Sequence, residues 1–165
     1  IVWLLILMFS ATLTGSIISN YEHAFEVMPV LVSFIPMLMD TGGNCGSQSS
    51  TLIIRGLAID EIKFSDFFKV VFKEFRISIV VGIMLGIANG IRIVLLNHDV
   101  YLAFVVSASI VVTVMISKFV GCVLPIVAKR LKMDPAIMAA PLITTIVDTL
   151  AIMVYFSIAS QIFNL

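Results

Sequence analysis

Charge is scarce in this chain: Asp, Glu, Lys and Arg make up 12% of its 165 residues, against about 25% in an ordinary soluble domain. The ten Lys/Arg and ten Asp/Glu cancel, so there is no net basic surface for nucleic acid. Cysteine and histidine are nearly missing. Cys45 and Cys122 lie in apolar runs without metal-ligand spacing and read as small buried hydrophobes. His23 and His98 fall in polar connections, which leaves zinc and copper without a ligand set. No Walker-type glycine loop occurs, so direct use of ATP has no support. Before Glu22 there is no charge at all, whereas a secretory leader needs a basic leading region. The opening "IVWLLILMFSATLTGSIISN" is therefore expected to be a membrane span within a piece of a longer protein.

What is abundant is hydrocarbon. Hydrophobic residues reach 61%, with a mean hydropathy of +1.17. Five apolar stretches, about 2–19, 27–55, 74–97, 100–128 and 135–162, each approach or exceed the roughly 20 residues that carry a helix across a bilayer. The fold expected is all-α and integral to the membrane: one transmembrane domain over residues 1–165, with five transmembrane helices per chain. Between the second and third stretches, Phe64, Phe67, Phe68, Val71 and Phe75 recur at helical spacing among charges. That pattern predicts an interfacial helix over about 60–73. Gly82, Gly86 and Gly90 predict a packing seam, and Asp134-Pro135 predicts a cap opening the last span.

The basic residues set an orientation. Arg55, Lys63, Lys69, Lys73 and Arg76, with Lys129, Arg130 and Lys132, place eight of the ten Lys/Arg in two connections on one side. The positive-inside rule then makes the N-terminus cytoplasmic and the C-terminus external, in a multi-pass plasma-membrane protein. An odd number of spans does not divide into equal inverted halves. A pore would therefore need a second copy.

Two spans carry polar residues that hydropathy alone does not explain. Asp40, Asn44, Ser47, Gln48, Thr51 and Arg55 stand at offsets 0, 4, 7, 8, 11 and 15, the spacing of one helical face. Gly42 and Gly43 interrupt this stretch, and with Pro36 upstream they predict a local break aiming carbonyl oxygens at a wet cavity. In the last span Pro141, Thr144, Thr145, Asp148 and Tyr155 stand at offsets 0, 3, 4, 7 and 14. A carboxylate at mid-membrane costs about 2.5 to 3.5 kcal/mol on insertion scales, so such acids mark ion paths, proton relays or ion pairs. Lys118 is expected to form a structural ion pair with an acid on another helix, or to snorkel to the inner face. The groups available are carboxylate, amide, hydroxyl and carbonyl oxygens, the ligands of hard cations. Few acids and many neutral oxygens suit a magnesium ion that keeps its waters better than a calcium cage.

At these residues the chain resembles the membrane domain of the MgtE-type magnesium channels and transporters. The resemblance rests on "FIPMLMDTGGNCGSQSSTLIIRGLA" and "MDPAIMAAPLITTIVDTLAIMVYFSIA", and it extends over all five spans. It implies a pore-forming homodimer in the lipid bilayer, with the ion path at the subunit interface and lined by spans two and five. It also implies that Asp148 is the selectivity carboxylate for hydrated Mg2+, with Asn44 and the backbone around Pro141 and Thr144 completing the surroundings. Asp40 stands where the family pattern has a small residue, and adds a second acid as a candidate metal-binding group. Ala140 stands where some relatives carry an asparagine. Candidate pore-lining residues are Gly42, Gly43, Ser47, Gln48, Thr51, Ala140, Pro141, Thr144, Thr145 and Tyr155. Relatives often carry cytosolic regulatory domains, which are absent from this chain.

The reading that follows is passive, voltage-driven magnesium uptake without enzymatic activity. Two transport features stay open at this level: whether Mn2+ or other divalent cations pass, and whether a proton- or sodium-coupled exchanger operates instead. An intramembrane aspartyl protease is disfavoured, because neither Asp40 nor Asp148 lies in a G-x-G-D sequence.

Overall fold

The computed structural model describes residues 1–164, without the side chains of residues 2, 3 and 137–140. It is all-α. In chain order the helices are α1 (Val2–Ser19), α2 (Glu22–Val27), α3 (Ile35–Ala58), α4 (Phe67–Asn97), α5 (Val100–Arg130) and α6 (Pro135–Phe163). Single 3-10 segments, Pro29–Phe34 and Phe64–Asp66, lead into α3 and α4.

α5 is the central post, packing against α3, α4 and α6, while α1 lies against α6. Its start is capped by the Asp99 carboxylate, which accepts from the Leu102 amide at 2.9 Å. α6 begins as the sequence predicts, with Asp134 accepting from the Ala136 amide at 2.9 Å and Pro135 in the first turn. A main core joins Leu31, Phe34 and Leu38 to Val105, Val106, Ile152, Tyr155 and Phe156. A smaller one at the basic end holds Ile53, Leu57, Cys122 and Ile126. Both cysteines are buried and free, as expected of small hydrophobes.

Three helical stretches, Phe64–Asn97, Val100–Arg130 and Pro141–Phe163, are long and apolar enough to cross a membrane among the described residues; Leu4–Ser19 is apolar but shorter. α3 has 24 residues, about 36 Å at 1.5 Å per residue, and its polar face lowers its hydropathy. Exposed Ile83, Met84, Ile87, Leu95 and Phe104 give α4 and α5 an apolar outer surface. Such a surface is stable in lipid and costly in water. The chain is a multi-pass membrane protein.

Residues 60–73, expected as an interfacial helix, lead into the third apolar stretch: after the short 3-10 turn Phe64–Asp66, Phe67–Asn97 is one continuous helix, α4. Its apolar residues divide accordingly. Phe67, Val70 and Val71 pack on the basic-end core, while Phe64, Phe68, Phe72 and Phe75 face outward. One expectation needs correction: α3 does not break at Gly42-Gly43, for it is continuous from Ile35 to Ala58 and no glycine has a positive φ. An unbroken helix keeps its backbone groups bonded where no water can substitute.

The glycines serve packing instead. A Cβ on Gly42 would lie 2.6 Å from Val147 Cγ1, and one on Gly46 would lie 2.6 Å from Ile143 Cγ2. One on Gly121 would run into the carbonyl oxygen of Gly46, so α3 and α5 cross glycine to glycine. Gly82 and Gly86 likewise admit the backbone of α5 at Val111 and Ser107, as the predicted seam requires. Gly121→Ala should therefore lower stability by about 1 to 3 kcal/mol, since helix backbones must part to make room. A thermal unfolding midpoint unchanged from the parent in the same detergent would contradict the close crossing.

Candidate ion site

α3 and α6 pack side by side, and their polar faces meet at a shallow cleft of about 260 Å3. Met39, Asp40, Gly43, Asn44 and Ser47 line it from α3, and Thr144 and Asp148 from α6. Helical spacing accounts for this set: from Asp40, steps of three, four and seven residues return to one side of α3, and from Thr144 a step of four reaches Asp148. Asp40 and Asn44 are exposed on the surface of the chain, whereas Ser47, Thr144 and Asp148 are half-buried.

The hydroxyls of Thr144 and Thr145 donate to the Pro141 carbonyl at 3.0 and 2.8 Å. The Thr145 hydroxyl retains lone pairs that can accept from water. Beside the Met39 side chain and one amide, the cleft offers oxygen acceptors, which suit a hydrated hard cation. No group of three or more His, Cys, Asp or Glu residues able to hold a bare metal ion occurs among the described residues. A hydrated ion does not need one, because its waters carry the contacts to protein oxygens.

Other candidates fall elsewhere. Gln48 and Thr51 remain exposed along α3; Thr51 donates to the Ser47 carbonyl at 2.8 Å and joins a neighbouring hollow with Ser47, Ser50 and Arg55. Gly42 does not line the cleft, being buried against Val147 and Thr113. Tyr155 does not line it either: it is fully buried, and its hydroxyl donates to the Leu31 carbonyl at 2.9 Å, anchoring the 3-10 segment before α3. The side chain of Ala140 lies outside the described residues.

Two features escaped the sequence reading. The first is a second hollow of about 400 Å3 on the other side of Asp148, where Ser10, Thr14 and Gly15 of α1 face Thr144, Thr145 and Asp148. Thr14 and Thr149 share a hydroxyl contact of 3.3 Å. Ser10 and Thr14 stand four residues apart on α1, among the further hydroxyls of Thr12, Ser16 and Ser19, and that spacing was the available signal.

The second is a buried polar triad joining three helices. Ser49 Oγ on α3 donates to Glu74 Oε2 on α4 at 2.7 Å, and Lys118 Nζ on α5 donates to Ser49 Oγ at 3.1 Å. Lys118 Nζ lies 3.5 Å from Glu74 Oε2, with both side chains 7% exposed. The ion pair expected of Lys118 is present, and its acid is Glu74. That residue heads the four-residue line Glu74, Ser78, Gly82, Gly86, all buried, so its inward direction was legible.

The chain is a polytopic α-helical membrane protein with an acid-bearing polar cleft between two of its helices. More narrowly, the chain belongs to the MgtE family: residues 35–158 match the family profile described as "Divalent cation transporter". It is a family of transporters, not enzymes. The chain is 38% identical over 158 residues to "Magnesium transporter MgtE" of Bacillus subtilis (strain 168), covering 96% of this chain and 35% of that relative. It is 35% identical over 157 residues to the protein of the same name from Thermus thermophilus, covering 95% and 35%. With the Enterococcus faecalis counterpart the identity is 32% over 159 residues. The chain spans about a third of the length of these relatives.

Proposed function

We propose that this chain is a membrane domain that passes hydrated magnesium through a path made by two copies, with Asp148 as its selecting carboxylate. The observation that carries the reading is the cleft itself, where Asp40, Asn44 and Ser47 meet Thr144 and Asp148 on an open face of the protomer. Asp40, Asn44, Gln48 and Thr51 are exposed along one helix of a membrane protein. Lipid cannot satisfy these groups. Covering them with the same face of a second copy gives a two-fold pore in which both Asp148 carboxylates point at one water-filled axis. In this reading all of α1, α3, α4, α5 and α6 cross the bilayer, and the Lys/Arg-rich end faces the cytoplasm.

Each Asp148 would hold the ion through its retained waters, with Asn44 and Ser47 fixing those waters on the α3 side. Asp40 adds negative potential at the mouth. A divalent ion moving inward gains about 4.6 kcal/mol per 100 mV, from about 2.3 per elementary charge, so neither ATP nor a coupling ion is required. The test is magnesium entry into proteoliposomes under an inside-negative potential. Entry that follows voltage and ignores proton and sodium gradients is expected. Entry that vanishes without one of those gradients would make the protein a coupled exchanger.

Protons compete with the cation for the same carboxylates. Magnesium affinity should therefore fall as the pH is lowered, more steeply than a single carboxylate allows, because an ion held by two carboxylates displaces up to two protons. Calorimetric titration at several pH values reads this directly. A flat profile would count against a facing pair of carboxylates.

A further inference from the structure

Asp148 has two polar sides. One is the cleft with α3, the other is the hollow of about 400 Å3 against α1, and Met39, Thr144 and Asp148 line both. Two contacts fix the register of α1 on α6. Thr14 meets Thr149, and Tyr21 stacks on Phe156 with ring centroids 4.7 Å apart. The same 135 positions separate both pairs, so the two helices run parallel and in step. That register brings Ser10, one turn before Thr14, level with Thr145, one turn before Thr149.

Ser10 is 8% exposed, yet its hydroxyl has no hydrogen-bond partner among the described residues. The Thr145 hydroxyl gives its proton to the Pro141 carbonyl, so toward the hollow it can only accept. The Asp148 carboxylate receives no hydrogen bond among the described residues, and it too can only accept when ionised. One buried donor without an acceptor thus lines the same hollow as two acceptors without a donor. Water resolves this arrangement. It accepts from Ser10 and donates once to Thr145 Oγ1 and once to Asp148, about the three bonds that a buried water makes. The remaining α1 wall, Leu7, Ala11 and Ile18, is apolar and offers no competing partner. Hydrocarbon in the same space would leave Ser10 and Asp148 unsatisfied.

We propose that Ser10 is a positioning residue of the ion site, holding through this water the side of the Asp148 carboxylate that faces α1. The inference rests on the reading of Asp148 as the selecting carboxylate and adds α1 to the selectivity machinery. Held from behind, the carboxylate meets an ion through the ion's own waters. Released, it can swing forward and bind an ion directly, which favours calcium, since magnesium gives up its waters reluctantly.

The test is the ratio of Mg2+ to Ca2+ entry into proteoliposomes under an inside-negative potential. Ser10→Ala should lower this ratio about tenfold, the worth of one hydrogen bond to a charged group. Ser10→Thr keeps the hydroxyl and should stay near the parent. Thr12→Ala, on the same helix but with its hydroxyl exposed and bonded to the Met8 carbonyl, should match the parent. A parental ratio in Ser10→Ala, with Asp148→Asn deficient in entry, would overturn the role of Ser10 and leave that of Asp148 standing. Parental entry in Asp148→Asn would remove the carboxylate from the site, and Ser10 with it. Slower entry of both ions at an unchanged ratio, in Ser10→Ala and Ser10→Thr alike, would reduce Ser10 to helix packing and contradict the proposal.

Discussion

Asp148→Asn should abolish selective magnesium entry, lowering the rate in proteoliposomes by about a hundredfold or more while leaving the protein folded. The substitution preserves size and two polar atoms, so packing against Thr144 and the α1 hydroxyl face survives. What it removes is charge. A hydrogen bond to a charged group is worth about 1.5 to 3 kcal/mol, and in a two-copy path every Asp148 substitution acts twice. The combined loss is about 3 to 6 kcal/mol of ion binding, and a factor of ten needs about 1.4. Asp148→Glu keeps the charge but moves it by a methylene, and should retain conduction with altered selectivity among divalent ions. Undiminished entry in Asp148→Asn would shift the site toward Asp40, the other acid of the cleft.

The second large effect concerns stability. Lys118→Met should destabilise the bundle by about 3 to 5 kcal/mol, because it leaves the Glu74 carboxylate buried without its cation. Glu74 is 6% exposed and its other partner, Ser49, cannot neutralise it. The double variant Lys118→Met/Glu74→Met should recover most of the loss, since replacing a whole buried pair by apolar groups is often close to neutral. Thermal midpoints of the four proteins in one detergent form a double-mutant cycle. Additive losses, with the double variant the least stable, would mean that the two charges do not interact. Because the triad ties α3 to α4 and α5, the single variants should also weaken ion entry by letting Asn44 and Ser47 drift from Asp148.

Periodicity carried much of this site. It put Asp40, Asn44 and Ser47 on one side of α3 and Thr144 and Asp148 on one side of α6, and those five line the same cleft. It also held information that went unused. Gly42 stands two residues from Asp40, about 200° around the helix at 100° per residue, so it belongs to the packed side where Val147 meets it. Tyr155 shows the opposite limit. It shares an azimuth with Asp148, but periodicity does not tell what covers that azimuth two turns further along. There the 3-10 segment Pro29–Phe34 closes over α6, and Leu31 takes the phenol.

Glu74 was harder to place because it follows Lys73 in a charged stretch that reads as a solvated face. Only its register with Ser78, Gly82 and Gly86 reveals that it points at α5. The glycine pair in α3 misled for a physical reason: the same residue that permits a break also permits close approach of helices. Which of the two occurs depends on neighbours that the local sequence does not contain.

The central claim is that the α3–α6 face is a magnesium-filled, water-accessible path closed by a second copy. Its most direct test is Ser47→Cys, a near-isosteric change in the cleft, in a background where the buried Cys45 and Cys122 are replaced by alanine. In membranes, a charged water-soluble thiol reagent should modify the new cysteine and magnesium should block it. That block should disappear when Asp148→Asn is added, and a cysteine replacing the outward-facing Phe104 should stay unreacted. A residue 47 thiol that never reacts, or reacts equally with and without magnesium in the presence of Asp148, would contradict the path.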